Sequence, residues 1–127
     1  MKILFDTDVI IEILRGNVKV KKDITTLLGK GALLAITPIT DAEIMRGVRA
    51  PEKAATEALL GLFYSLEINR DVGVCAGEYL KKYSSSHAVD VADALIAGAA
   101  KEYGYLLCTF NRKHYPMSDI AFHSLRR

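Results

Sequence analysis

The sequence has no tryptophan, and its two cysteines, Cys75 and Cys108, stand far apart in apolar company. An isolated pair without metal-ligand spacing argues against a disulfide scaffold or a thiolate metal site. It reads as buried packing in a reducing compartment. Three prolines and nine glycines form no low-complexity tract, and no internal repeat is visible. No apolar run reaches the roughly 20 residues that a membrane span requires. Asp6 and Asp8 interrupt the N-terminal run, and no basic segment leads into an apolar stretch and a cleavage site. The expectation is a soluble, cytoplasmic protein with no membrane association. An excess of one charge sign is also lacking. The formal charge is only +2, so the net balance announces no nucleic-acid partner. The basic residues do cluster, at Lys19, Lys21 and Lys22, at Arg46, Arg49 and Lys53, at Arg112 and Lys113, and at Arg126 and Arg127. Such clusters suit a solvated face and a phosphate-binding face equally well.

What is present is an ordinary globular balance, 50% apolar and 25% charged over 127 residues. That is enough chain to bury a core, and a single domain over residues 1–127 is expected. The organising stretch is the beginning. Ile3-Leu4-Phe5 runs without polar alternation into Asp6-Thr7-Asp8, and Val9, Ile10, Ile13 and Leu14 then recur at helical spacing. This reads as a buried strand, a carboxylate and a helix, with Asp6, Thr7 and Asp8 all able to cap it. Ligands of open α/β sheets sit beyond the carboxyl ends of the strands, which is where Asp6 falls.

The rest of the chain repeats the alternation. A surface helix over Val18 to Leu28 ends at Gly29-Lys30-Gly31, and Leu33–Ile36 is a second buried strand closed by Thr37-Pro38. A short helix follows to about Val48, with Glu43 expected in its first turn. Pro51 then opens another helix with an apolar face at Leu59, Leu60, Leu62 and Phe63. Leu66-Glu67-Ile68 reads as a brief strand, Asp71 to Tyr83 as a helix, and Ser84-Ser85-Ser86 as a flexible turn. An alanine-rich helix from Asp90 to Tyr103 ends at Gly104, Leu106–Cys108 is a fourth strand, and Ile120-Ala121-Phe122 a candidate fifth. Strands alternating with helices predict an α/β fold, a three-layer α/β/α sandwich around a mainly parallel sheet of four to five strands.

Asp6, Glu43, Asp93 and Asn111 each follow a strand or open a helix on the rim where such a sheet gathers its strand ends. Three converging carboxylates repel one another unless a divalent cation neutralises them, and hard oxygen donors favour Mg²⁺ or Mn²⁺. Each residue also has a plainer role open to it. Asp6 is a helix cap, Thr40-x-x-Glu43 a capping box, Asp90-x-x-Asp93 a cap with a dipole-favoured acid, and Asn111 a turn residue.

Four blocks of sequence resemble those of PIN domains, most closely the VapC-type toxins of toxin–antitoxin pairs. They are Phe5-Asp6-Thr7-Asp8-Val9-Ile10-Ile11, Pro38-Ile39-Thr40-Asp41-Ala42-Glu43-Ile44-Met45-Arg46-Gly47, Asp93-Ala94-Leu95-Ile96-Ala97-Gly98-Ala99-Ala100 and Thr109-Phe110-Asn111-Arg112-Lys113-His114-Tyr115. They stand in family order and span nearly the whole chain. The resemblance implies a Mg²⁺- or Mn²⁺-dependent endoribonuclease, held inactive by a VapB-like antitoxin and usually paired as a homodimer. It carries catalytic and metal-binding roles onto Asp6, Glu43 and Asp93, and the fourth family position onto Asn111. An uncharged Asn111 is expected to order a water rather than anchor a second ion, which leaves one or two metals open. Gly98 stands where the family more often has alanine, a departure expected to pack without difficulty.

Thr7, Arg46, Thr109 and Arg112 are candidate RNA contacts, since phosphate contacts position a strand without reading bases. His114 suits a structural turn, with base stacking or proton shuttling as alternatives, and Asp90 suits capping. His87 and His123 read as surface residues, and Tyr79 with Tyr83 as core or interface. Two rival readings remain. One is a haloacid-dehalogenase-like phosphatase, from Asp6-x-Asp8, although Ile10 and the missing lysine context argue against it. The other is a PIN-like RNA- or protein-binding module without catalysis, for which the only hint is Asn111.

Overall fold

In the computed structural model, which describes residues 1–127, the N-terminal apolar run is β1 (Lys2–Phe5), at the centre of the sheet. The other strands are β2 (Leu33–Ile36), β3 (Tyr64–Ser65) and β4 (Leu106–Cys108). The sheet order is β3-β2-β1-β4 and every pairing is parallel, with Leu4 opposite both Ala35 and Leu107. A central parallel strand is covered on both faces, so it carries no polar alternation. Ile3, Leu4 and Phe5 are all fully buried.

The two-residue side-chain period divides the sheet between two cores. Leu4, Ala35 and Leu107 face one side, packing with Val72, Ala76 and Ile96 from α5 (Arg70–His87) and α6 (Val91–Tyr103). Ile3, Phe5, Leu34, Ile36 and Cys108 face the other. There they meet α1 (Thr7–Leu14), α2 (Val18–Gly29), α3 (Pro38–Gly47) and α4 (Lys53–Leu60). This is the three-layer α/β/α arrangement expected from the alternation. Both cysteines are free thiols, Cys108 buried and Cys75 partly so. No helix is long and apolar enough to cross a membrane.

Several boundaries differ from the sequence reading. The third strand is Tyr64–Ser65, not Leu66–Ile68. Ile36 and Ser65 pair, and the Leu66 amide then closes the ladder on the Ile36 carbonyl at 2.9 Å. Leu66 and Ile68 are apolar because they pack against the α5–α6 core as the chain leaves the edge. Ser84–Ser86 is not a turn but the last part of α5, which ends only where Ala88 adopts a left-handed conformation. Serine is a mediocre helix former but no breaker, and neither glycine nor proline interrupts that stretch. The candidate fifth strand is reduced to one parallel bridge, Leu107 to Phe122.

α3 begins at Pro38 with Thr37 as its cap, its hydroxyl accepting from the Ile39 amide at 3.2 Å. Proline at the first helical position is preorganised there, so the helix starts before Thr40. Glu43 therefore sits in the second turn, and the Thr40–Glu43 capping box does not form.

Gly98 does more than pack without difficulty. A Cβ built there lies 2.9 Å from the Val72 carbonyl oxygen and 3.3 Å from the Ala76 nitrogen, both backbone atoms of α5. The missing side chain is what lets α5 and α6 touch. Gly98→Ala is expected to cost about 2 kcal/mol through overpacking, despite alanine's better helix propensity. Urea unfolding checks this: the midpoint falls with an unchanged slope, and an equal or higher midpoint refutes the close contact.

Candidate active site

The site is built at the carboxyl ends of β1 and β4 and the starts of α1 and α6. Asp6 leaves β1 with its amide bonded to the Cys108 carbonyl at 2.9 Å, then turns the chain into α1. Its Oδ1 accepts from the Thr7 amide at 2.8 Å, and its Oδ2 accepts from the Thr109 hydroxyl at 2.8 Å. Cap and site are thus one residue: Asp6 is buried, yet its bonds leave a carboxylate with lone pairs to offer.

Glu43 is exposed and stands one threonine away. The Thr7 hydroxyl donates to Glu43 Oε1 at 2.6 Å and lies 2.9 Å from the Thr40 hydroxyl. With its single hydrogen committed to Glu43, Thr7 accepts from Thr40. The hydroxyls of Thr7 and Thr109, both buried, therefore serve to orient acids. Arg46 is exposed and forms no ion pair.

Asp93 lies in the first turn of α6, half-buried. Asp90 caps that helix, accepting from the Asp93 amide at 2.8 Å. Asp93 Oδ1 is 3.5 Å from the Tyr115 hydroxyl and Oδ2 is 3.6 Å from His114 Nδ1. His114 Nδ1 is also 3.2 Å from Asn111 Nδ2. An unprotonated Nδ1 accepts from that amide, whereas a protonated one would pair with Asp93. One ring nitrogen thus faces both Asn111 and Asp93 and bonds only one of them at a time. The residues Arg112–His114 form a single 3₁₀ turn, the turn role foreseen for His114.

Burial, then the charges of Asp90 and Asp6, push the Asp93 carboxyl up to about 6. Tyr115 is buried beside the same acids. Burial first, then the charges of Asp6 and Asp93, hold its hydroxyl well above the ordinary tyrosine range. It therefore stays a neutral donor facing Asp6 and Asp93.

Asp8 is a residue of the site that the sequence offers as a helix cap and as the second acid of Asp6-x-Asp8, but not among the nuclease acids. Its Oδ2 accepts from the Phe110 amide at 3.0 Å, with the Thr109 hydroxyl at 3.4 Å. This ties the α1 start to the turn that presents Asn111. Its Oδ1 is buried without a hydrogen-bond partner. Burial, then the Asp6 charge, pushes Asp8 up to about 6. Its partner lies 102 positions away, so no local pattern points to it. The Asp6-x-Asp8 spacing was the one available signal.

The charges of Asp6 and Asp93 thus both bear on Tyr115, the His114 Nδ1 faces both Asn111 and Asp93, and Glu43 is bonded by Thr7. No three His, Cys, Asp or Glu side chains stand together as a finished metal cage. The chemistry of the donor set nonetheless suits a hard divalent ion, because the candidate ligands offer only oxygens. No lysine or arginine forms an ion pair with Asp6, Asp8, Glu43 or Asp93. Asp6, Glu43 and Asp93 are the acids that would have to hold such an ion.

A doubly wound α/β domain with an acidic rim at its carboxyl edge is the class of protein that fold and site define. The PIN domain model matches residues 3–122, and the chain belongs to the PIN domain family. It is similar to Ribonuclease VapC10 of Mycobacterium tuberculosis, 34% identical over 118 residues, covering 92% of this chain and 88% of that one. It is 31% identical over 115 residues to Ribonuclease VapC19 of the same organism, covering 90% of this chain and 92% of that one. In structure it resembles VapBC2 from Rickettsia felis, solved bound to a DNA fragment from their promoter. The TM-score is 0.82 at 17% identity, covering 99% of this chain and 100% of that one, a likeness of fold. Membership of this family sets the phosphatase reading aside.

Proposed function

We propose that the chain is a Mg²⁺- or Mn²⁺-dependent endoribonuclease that hydrolyses RNA phosphodiester bonds. In this reading it is the toxin of a toxin–antitoxin pair and works as a homodimer in the cytoplasm. The observation that carries the nuclease reading is a pair of acids at the carboxyl edge of the sheet without a lysine or arginine partner: Asp6, buried at the end of β1, and Asp93, with its Oδ1 3.5 Å from the buried Tyr115 hydroxyl. The relatives' names, Ribonuclease VapC10 and Ribonuclease VapC19, point the same way.

Asp6, Glu43 and Asp93 would hold the cation. When bound, it supplies a Lewis acid, neutralising charge on the phosphate oxygens and easing deprotonation of the attacking water. Glu43, exposed and hydrogen-bonded on one oxygen only, has a free oxygen to receive that proton. Asn111 donates from its amide and adds no negative charge, which suits orienting a water or a phosphate oxygen. Arg46 and Arg112, both exposed, supply phosphate contacts. Asp8 and Tyr115 position the turn and the acids.

The antitoxin partner is supported by a groove of about 870 Å³ between α1, α3 and α4, with Ile11, Leu14, Val48, Leu59 and Glu43 among its lining residues. A partner segment seated there would touch Glu43. Purified chain incubated with total RNA tests the reading. Internal cleavage is expected with Mn²⁺ or Mg²⁺ and none in EDTA; equal cleavage in EDTA would overturn it.

A further inference from the structure

The acidic rim creates a problem for the reading above, since its uncompensated carboxylates repel the RNA backbone as well as each other. Two arginines that no ion pair occupies stand on aromatic rings, one of those rings being Phe110 of the Asn111 turn. The Arg112 guanidinium carbon lies 3.5 Å from the Phe122 ring centroid, and that of Arg127 lies 5.0 Å from the Phe110 ring centroid. Phe110 and Arg112 flank Asn111 directly in the chain. The two rings belong to opposite sides of the sheet. Phe122 packs with the α5–α6 core and Phe110 with the core on the α1 side.

The tail that carries Arg127 is anchored. Phe122 bridges to Leu107, the His123 amide bonds the Leu107 carbonyl at 2.9 Å, and Leu125 packs into the α1-side core. Lys19 Nζ adds a bond to the Arg126 carbonyl at 3.4 Å. A guanidinium stacked on a ring loses rotamer freedom but keeps its edge N–H groups free. Of two such groups, one stacks on the residue that precedes Asn111 and the other belongs to the residue that follows it, and both offer donors to an anion.

We infer that Arg112 and Arg127, stacked on Phe122 and Phe110, form a two-armed clamp that grips the phosphates of single-stranded RNA on either side of the bond presented to the acids. The inference rests on the nuclease reading and adds to it Arg127, the two aromatic seats and the straddling geometry. A clamp of charges contributes affinity and register without reading bases. Its signature is a dependence on salt.

The test is fluorescence anisotropy of a labelled oligouridine titrated with the intact chain in EDTA, repeated over a range of salt concentrations. Arg112→Ala and Arg127→Ala are each expected to weaken binding roughly fivefold and to lower the slope of log affinity against log salt by about 0.7. Both effects should add in the double variant. Arg112→Lys should restore the slope while recovering only part of the affinity, because lysine keeps the charge and loses the planar stack. Unchanged slopes in the alanine variants would overturn the clamp, even where their melting temperatures fall, since a purely structural stack moves stability alone. Equal weakening against polyglutamate would overturn it too, reassigning the arginines to an acidic protein segment. Mn²⁺-dependent RNA cleavage by the parent chain is scored in parallel. Its presence with unchanged slopes removes the clamp alone, and its absence removes the nuclease reading beneath it.

Discussion

Asp93→Asn is expected to lower RNA cleavage about a thousandfold or more, the scale of removing a group that stabilises transition-state charge, while raising the stability of the metal-free fold. The two effects have one cause. Burial and the nearby charges of Asp90 and Asp6 make an ionised Asp93 unfavourable, which is why its carboxyl titrates near 6. Asparagine keeps the shape and an acceptor for Tyr115 but removes the charge that repels Asp6. A residue kept at a cost to the empty fold is the mark of a functional site. Asp6→Asn should lose activity on the same scale with a smaller gain in stability. Its Oδ2 accepts from Thr109, and an amide nitrogen at that position cannot. Cleavage rates with Mn²⁺, set beside urea midpoints at neutral pH, check both. Parental cleavage by either variant would remove the assignment, and a fall in Asp93→Asn stability would remove the account of why it titrates high.

How far the sequence discloses this molecule follows from how local each interaction is. β1, β2 and β4 are legible because a strand buried on both faces must be apolar throughout, as Ile3-Leu4-Phe5 is. β3 is not, because an edge strand of two exposed residues needs no apolar pattern; its place is set by backbone bonds to Ile36. The Asp90 cap is legible, three residues from the amide it binds, whereas the Thr40–Glu43 pattern misleads because Pro38 starts the helix earlier. Within the site, Asp6, Glu43, Asp93 and Asn111 stand out by following strands or opening helices. The groups that orient them do not. Thr109 meets Asp6 across 103 positions and Tyr115 meets Asp93 across 22. Threonine or tyrosine in a loop looks the same whether it holds a carboxylate or faces water. The clamp arginines are hidden for a similar reason: Arg127 and Phe110 are brought together only when the chain end returns to β4.

The second large effect is on stability against pH. Asp8 and Asp93 are both pushed up to about 6, and burial also raises Asp41. A carboxyl raised in the folded state holds its proton more tightly there than in the unfolded chain. Its stabilising contribution is complete below the unfolded value of 3.8 and is lost as pH rises through about 6. At full weight, one carboxyl raised that far would contribute about 3 kcal/mol. Both acids keep a solvent-facing part, so screening leaves about 1 kcal/mol each. The metal-free chain is therefore expected to have a higher urea midpoint at pH 5 than at pH 7. The double variant Asp8→Asn with Asp93→Asn should flatten that difference by removing both protons from the comparison. Mn²⁺ added at pH 7 should restore the lost stability, because a ligand of the folded state alone stabilises by mass action. At pH 5 it should do less, since protons then occupy the oxygens it would bind. A parent chain equally stable at both pH values would refute the electrostatic account of the rim. A double variant that still gains stability on acidification would move its origin away from Asp8 and Asp93.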